Sequence, residues 1–151
     1  MEIEQIQEII YLHNLWLDKD ARGKRAILQN LDLRECVFSQ VRLINASFRG
    51  SDLSNADFTG AKLNNVNFAH SILNEATFKG AILVGSNFTL ATAKKANFSW
   101  TDLTSANLSG ANFTGSDFSW SNLIRAEVTG TIFKNTKRSN IVLPDGWSIH
   151  N

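Results

Sequence analysis

A large apolar side chain recurs every fifth residue for most of this chain, and that period admits very few folds. Read in fives from Ala26, the sequence runs AILQN LDLRE CVFSQ VRLIN ASFRG SDLSN ADFTG and onward to TIFKN, 22 pentads ending at Asn135 without an insertion. The third position is Leu or Phe in 20 of the 22, Ala93 and Val128 being the exceptions. First positions are mostly Ala, Ser or Thr, and Asp or Asn fills half of the second positions. Five matches neither the 3.6-residue period of a helix nor the two-residue period of a strand, so neither could bury this pattern along one face. The chain must turn at every pentad.

If each pentad forms one side of a four-sided coil, residues twenty apart stack, and the columns they form test the idea independently of the period of five. One column reads Phe38, Phe58, Phe78, Phe98, Phe118 and the next Leu43, Leu63, Leu83, Leu103, Leu123, both unbroken. Like side chains then lie coil upon coil along the axis. The other two columns are mixed: Leu28, Phe48, Phe68, Phe88, Leu108, Val128, and Leu33, Leu53, Leu73, Ala93, Phe113, Phe133. Ala93 leaves a void unless Phe113 leans towards it.

Tandem A(D/N)(L/F)XX units of this kind resemble the pentapeptide repeat family, and the resemblance covers residues 26–135. It implies an all-β solenoid, a right-handed quadrilateral parallel β-helix, here of about five and a half coils from 22 pentads at four per coil. Both ends of such a stack are open sheet edges that need covering. Ile3, Ile6, Ile10 and Leu17, widened by Ile9 and Trp16, predict a capping helix over residues 2–18, with Glu2, Glu4 and Glu8 in its first turns. Residues 1–25 thus read as a helical cap and lead-in, in which His13, Trp16, Leu17, Gly23 and Ala26 are similar to the lead-in of many pentapeptide repeats. Residues 136–151 read as a C-terminal tail: Ile141, Val142, Leu143 and Trp147 with a Pro-Asp-Gly turn at Pro144. The tail serves as a cap or as the contact of a homodimer.

Chemistry is sparse. The histidines are His13, His70 and His150, and no Cys or His pair has metal-ligand spacing, so no metal, cofactor or catalytic residue is expected. Cys36 falls in an inward column with Ala56, Ala76, Ala96 and Ser116 and reads as small buried filler. Ser and Thr recur near corners without a histidine base beside them, which suits corner hydrogen bonding better than nucleophilic catalysis. The chain carries 15 Lys+Arg against 14 Asp+Glu, a net charge of +1, so neither nucleic acid nor a membrane surface is an expected partner. One cysteine and no cleavable leader point to the cytoplasm.

A partner, then, must be read from outward positions that depart from small polar residues. Trp100 and Trp120 occupy fifth positions twenty apart; they either cover a corner or anchor a partner. Leu90, Lys94 and Lys95 lie close by in sequence. On the Leu wall, Ile44, Val84 and Ile124 at fourth positions and Ile82 at a second position form a further candidate surface. These features point to a non-enzymatic interaction module with a protein partner. The alternative, which the family resemblance brings, is an inhibitor or protector of a DNA-handling protein such as DNA gyrase. Duplex mimicry needs a strongly negative face, whereas residues 26–135 hold 8 acidic and 9 basic side chains.

Overall fold

The computed structural model describes residues 1–148. From Ile27 onward every second-position residue pairs with the residue twenty further on, always in parallel, from Ile27 with Ser47 to Asn122 with Val142. A turn separates each pair from the next. The chain therefore winds as a coil of four walls, named here for their inward columns: the first for Leu28 to Val128, the second for Leu33 to Phe133, the third for Phe38 to Phe118, the fourth for Leu43 to Leu123.

One pentad shows how the repeat satisfies its backbone. Phe58 and Gly60 donate their N–H groups to Thr77 O (2.8 Å) and Lys79 O (2.9 Å) on the next coil, while Asp57 donates back to Cys36 O (3.0 Å). Ala61 closes the turn onto Phe58 O at 3.0 Å. The fourth-position N–H has no backbone partner in this scheme, and Asp57 Oδ1 accepts it from Thr59 at 2.8 Å. That is why Asp or Asn recurs at second positions. A Ser or Thr hydroxyl at the fourth position often donates to the same oxygen, as Ser54 does to Asp52 and Thr114 to Asn112.

Each turn places its fifth-position residue at positive φ, from Asn30 to Asn140, as a type II turn requires. Glycine and asparagine suit that region, yet Leu90 (φ 56), Trp100 (φ 60) and Trp120 (φ 61) also adopt it.

The core is more aromatic than one unbroken column suggests. Rings of the third wall stack at 4.8–5.1 Å, and Phe48, Phe68 and Phe88 on the opposite first wall stack at 5.0–5.3 Å. The two ladders meet edge to face across the axis, with Phe68 and Phe78 at 5.5 Å and 88°. Phe113 does lean in at Ala93, reaching Phe98 at 5.3 Å and Phe88 at 6.3 Å.

At the N-terminal end α1 (Ile3–Leu17) lies on the first coil with Ile6 and His13 buried and Ile9 and Ile10 half-buried. Its start is closed by Glu2 N–H donating to Gln5 Oε1 at 3.1 Å. Ile3 departs from the expected apolar face and is 69% exposed, because an open cleft separates the start of the helix from Cys36 and Val37 of the first coil. The lead-in passes so close to the end of α1 that a Cβ on Gly23 would sit 2.1 Å from Trp16 N, so only glycine fits. At the far end pairing continues past the last regular pentad to Val142. The Pro-Asp-Gly turn closes by Trp147 N–H to Pro144 O at 3.2 Å, and the Trp147 ring rests 5.1 Å from Phe133.

Candidate functional site

The corner between the third and fourth walls carries Gln40, Gly60, Gly80, Trp100, Trp120 and Asn140 in ascending order. Fifth-position side chains lean towards the coil above: Gln40 occupies the space where a Gly60 Cβ would stand, and Leu90 does the same over Gly110. Trp100 accordingly leans onto Trp120, and the two indoles stack at 4.8 Å and 4°. They remain 57% and 50% exposed, so they form a ridge rather than lying flat as a cover.

Sequence neighbours of this ridge do not all share its surroundings. Leu90, 55% exposed, stands at the corner after the first wall, diagonally opposite Trp100. Lys94 and Lys95, also exposed, stand at the corner between the second and third walls. The fourth wall, by contrast, begins at the Trp corner. Ile82 (38% exposed) lies two residues beyond Gly80, while Ile44, Val84 and Ile124 follow the wall's far margin, with Asn64 and Thr104 between them.

The irregular pentad Ala91–Lys95 is repaired from its neighbours. Thr92 stands where Asp or Asn is usual, and Asn74 on the coil below accepts the Lys94 N–H instead, at 3.0 Å. The following turn is open, and Ser116 on the coil above bridges it: Ala96 N–H donates to Ser116 Oγ (3.0 Å), whose hydroxyl donates to Ala93 O (2.6 Å). Ser51 closes the turn after Leu28 in the same way, at 3.0 and 2.6 Å.

A role that sequence reasoning missed belongs to His13. It is fully buried, accepts the Ala26 N–H at Nδ1 (2.9 Å), and faces Ile44 O with Nε2 (3.0 Å). Those partners place the proton on Nε2 and keep the ring neutral. Ile44 O is an outward-facing carbonyl of the first coil, so the imidazole ties α1 to the open sheet edge. Burial lowers its pKa below the ordinary 6.5, with the Ile44 bond opposing and Arg25 and Arg42 reinforcing. The spacing from His13 to Ala26 in the lead-in was the available signal. Cys36 also differs from expectation: it is half-buried rather than enclosed, because no coil lies beneath it, and burial raises its thiol pKa. His70 stands exposed at a corner, and His150 lies outside the described residues.

Among the described residues no cluster of three His, Cys, Asp or Glu could hold a metal, and no helix is long and apolar enough to cross a membrane. An open cleft of about 400 Å³ runs between α1 and the first coil, lined by Ile3, Ile6, Ile10, Cys36 and Val37 among others.

Solved structures similar to this chain include QnrB1, a plasmid-mediated fluoroquinolone resistance protein, at 19% identity over 78% of this chain and 86% of that one, TM-score 0.44. Rfr23, a pentapeptide repeat protein from the cyanobacterium Cyanothece 51142, matches at 21% over 91% and 99%, TM-score 0.33. A pentapeptide repeat protein of the Arabidopsis thaliana thylakoid lumen matches at 28% over 72% and 62%, TM-score 0.27. These likenesses are too loose to transfer a function. No curated protein matches the chain. The sequence profile for pentapeptide repeats, however, matches in eight copies over residues 32–69, 71–110 and 101–137. With its parallel pairing at twenty residues and its inward Leu and Phe columns, the chain belongs to the pentapeptide repeat family.

Proposed function

We propose that this protein is a non-enzymatic, rigid interaction module, a right-handed quadrilateral coil of about five and a half turns that takes up a protein partner at the Trp100/Trp120 corner. The carrying observation is the indole pair itself. Glycine serves at the same corner on two coils below, whereas Trp100 and Trp120 hold positive φ, stack on each other and stay half exposed. A bulky residue in the left-handed region costs about 1 kcal/mol or more. Two such residues cost about 2 kcal/mol or more together, and their single stack returns only about 0.5–1.5 kcal/mol. The fold thus has little net need of them, which favours a role at the surface.

The charge pattern supports this reading over mimicry of duplex DNA. Asp32 and Asp52 share the second wall, Asp57 and Asp117 the third, and Asp102 stands on the fourth, so no wall assembles an acidic stripe. Each also accepts a hydrogen bond from the backbone of its own pentad.

Replacing both residues (Trp100→Gly, Trp120→Gly) is expected to shift thermal unfolding by only a few degrees while abolishing capture of the protein partner from the native host. Capture unchanged in the double variant would sink the proposal.

A further inference from the structure

The Trp corner contains a vacancy as well as a ridge. Because fifth-position side chains lean upward, Gln40 fills the level of Gly60, but nothing lies within 4 Å of where a Gly80 Cβ would stand. Two successive glycines have thus left two rungs of the corner ladder empty. The notch has the Gln40 amide below and the bare lower face of Trp100 above. Coils are spaced like adjacent strands, so two rungs open roughly 10 Å, more than the thickness of one planar group.

Its margins are chemically distinct. Lys79, which precedes Gly80, and Lys62, two residues beyond Gly60, are both exposed, and neither has an ion-pair partner among the described residues. Ile82 adds an exposed aliphatic surface on the fourth wall. The nearest carboxylates, Asp57 on the third wall and Asp102 on the fourth, are occupied by Thr59 and Thr104 of their own pentads. Those bonds neutralise neither carboxylate but hold each on its own wall, and within two residues of the corner Lys79 and Lys62 outnumber Asp102, so the near margin of the notch is net positive beneath an aromatic roof.

Resting on the reading of this corner as the docking site, we infer that the notch at Gly60 and Gly80 receives an aromatic side chain from an acidic segment of the partner protein. The ring continues the indole stack beneath Trp100, and flanking carboxylates meet Lys62 and Lys79. A nucleic acid strand fits less well. Arg42 stacks beneath Lys62 but is paired with Asp18 at 3.3 Å, the corner column otherwise offers Gln40 and Asn140, and the whole chain carries only +1, so the basic surface ends there rather than leading a phosphate backbone away from the notch.

The test uses the full chain and a defined probe, acetyl-Glu-Asp-Tyr-Asp-Glu-amide, followed through the four indole N–H resonances by NMR. Trp16 and Trp147 serve as internal controls. Saturable shifts confined to Trp100 and Trp120 are expected, with affinity about tenfold lower when Tyr is replaced by Ala or the acids by Lys. Gly80→Gln, a residue type that Gln40 already holds at φ 60 in this corner, fills the notch without unfolding it and is expected to abolish the shifts. Absence of a saturable shift, equal response to the lysine peptide, or tighter binding of adenosine monophosphate would overturn the inference. Lys62→Glu/Lys79→Glu separates it from the broader reading. If that variant keeps the host partner while Trp100→Gly/Trp120→Gly loses it, the docking corner stands and the notch does not.

Discussion

His13 shows how much one side chain can carry at a solenoid's end. It closes two backbone groups at once, and its ring must be neutral to accept from Ala26. Since its folded-state pKa is depressed, its contribution is fully present above the ordinary value of 6.5 and is lost as the pH falls through the folded value. Stability measured by urea unfolding is therefore expected to decline as the pH falls below the ordinary histidine value of 6.5, with a smaller decline in His13→Ala. At pH 7 that substitution orphans the Ala26 N–H and Ile44 O and is expected to cost about 2–6 kcal/mol, at roughly 1–3 for each group. An unchanged unfolding midpoint would show that α1 is held by its apolar face alone. The inward residues were legible in the sequence because volume at the axis leaves few choices. His13 was not, because its partners are a backbone N–H and a carbonyl eighteen residues further on that meet only when the first coil closes.

At the level of the pentad, hydrogen bonding decides more than propensity does. Three turns lack the backbone closure: after Leu28 and after Ala93 a serine from the coil above bridges the gap, whereas after Phe98 the Thr101 hydroxyl itself donates to Phe98 O at 2.7 Å. Ser86 offers a contrast, since its own N–H already closes the turn to Leu83 O at 3.0 Å and its hydroxyl adds to the same oxygen. Ser116→Ala is expected to cost about 1–3 kcal/mol by leaving a buried N–H unsatisfied, and Ser86→Ala about 1 kcal/mol or less. Equal losses in chemical denaturation would refute the bridging role. The sequence marked Ala91–Lys95 as irregular, and the grouping of Leu90, Lys94 and Lys95 with Trp100 followed from proximity along the chain. A quarter turn separates successive corners, which sends Leu90 to the opposite side. Contiguity instead joins the Trp corner to the wall of Ile82, residues that the linear sequence holds eighteen apart.

Across the whole molecule each coil touches its neighbours and nothing further, so stability is expected to vary with position along the axis. Phe78 lies between Phe58 and Phe98 and also meets Phe68 and Phe88 edge-on, whereas Phe133 stacks on Phe113 from the last stretch and is covered by Trp147. Phe78→Ala is expected to cost about 3–5 kcal/mol and to unfold the chain as a unit. Phe133→Ala should cost less and release amide hydrogen exchange mainly beyond Leu123, because the terminal coil can open alone. Uniform exchange in both variants would argue against stepwise cooperativity.

The register of twenty has a further consequence for how such a protein can change. Azimuth is quantised: each pentad advances the surface by a quarter turn, so the angle between α1 and the Trp100/Trp120 ridge works as a dial with four stops. Removing residues 61–80 should shorten the rod by one coil and leave the ridge on its original bearing. Removing residues 61–65 alone should swing the ridge to the adjacent corner and set Phe against Leu once in each column, at the junction, as where Phe68 would then lie over Leu43. Distances between spin labels on α1 and beside Trp120 would tell the two apart. Lengthening and re-aiming are thus separate operations for this chain, one performed in twenties and the other in fives.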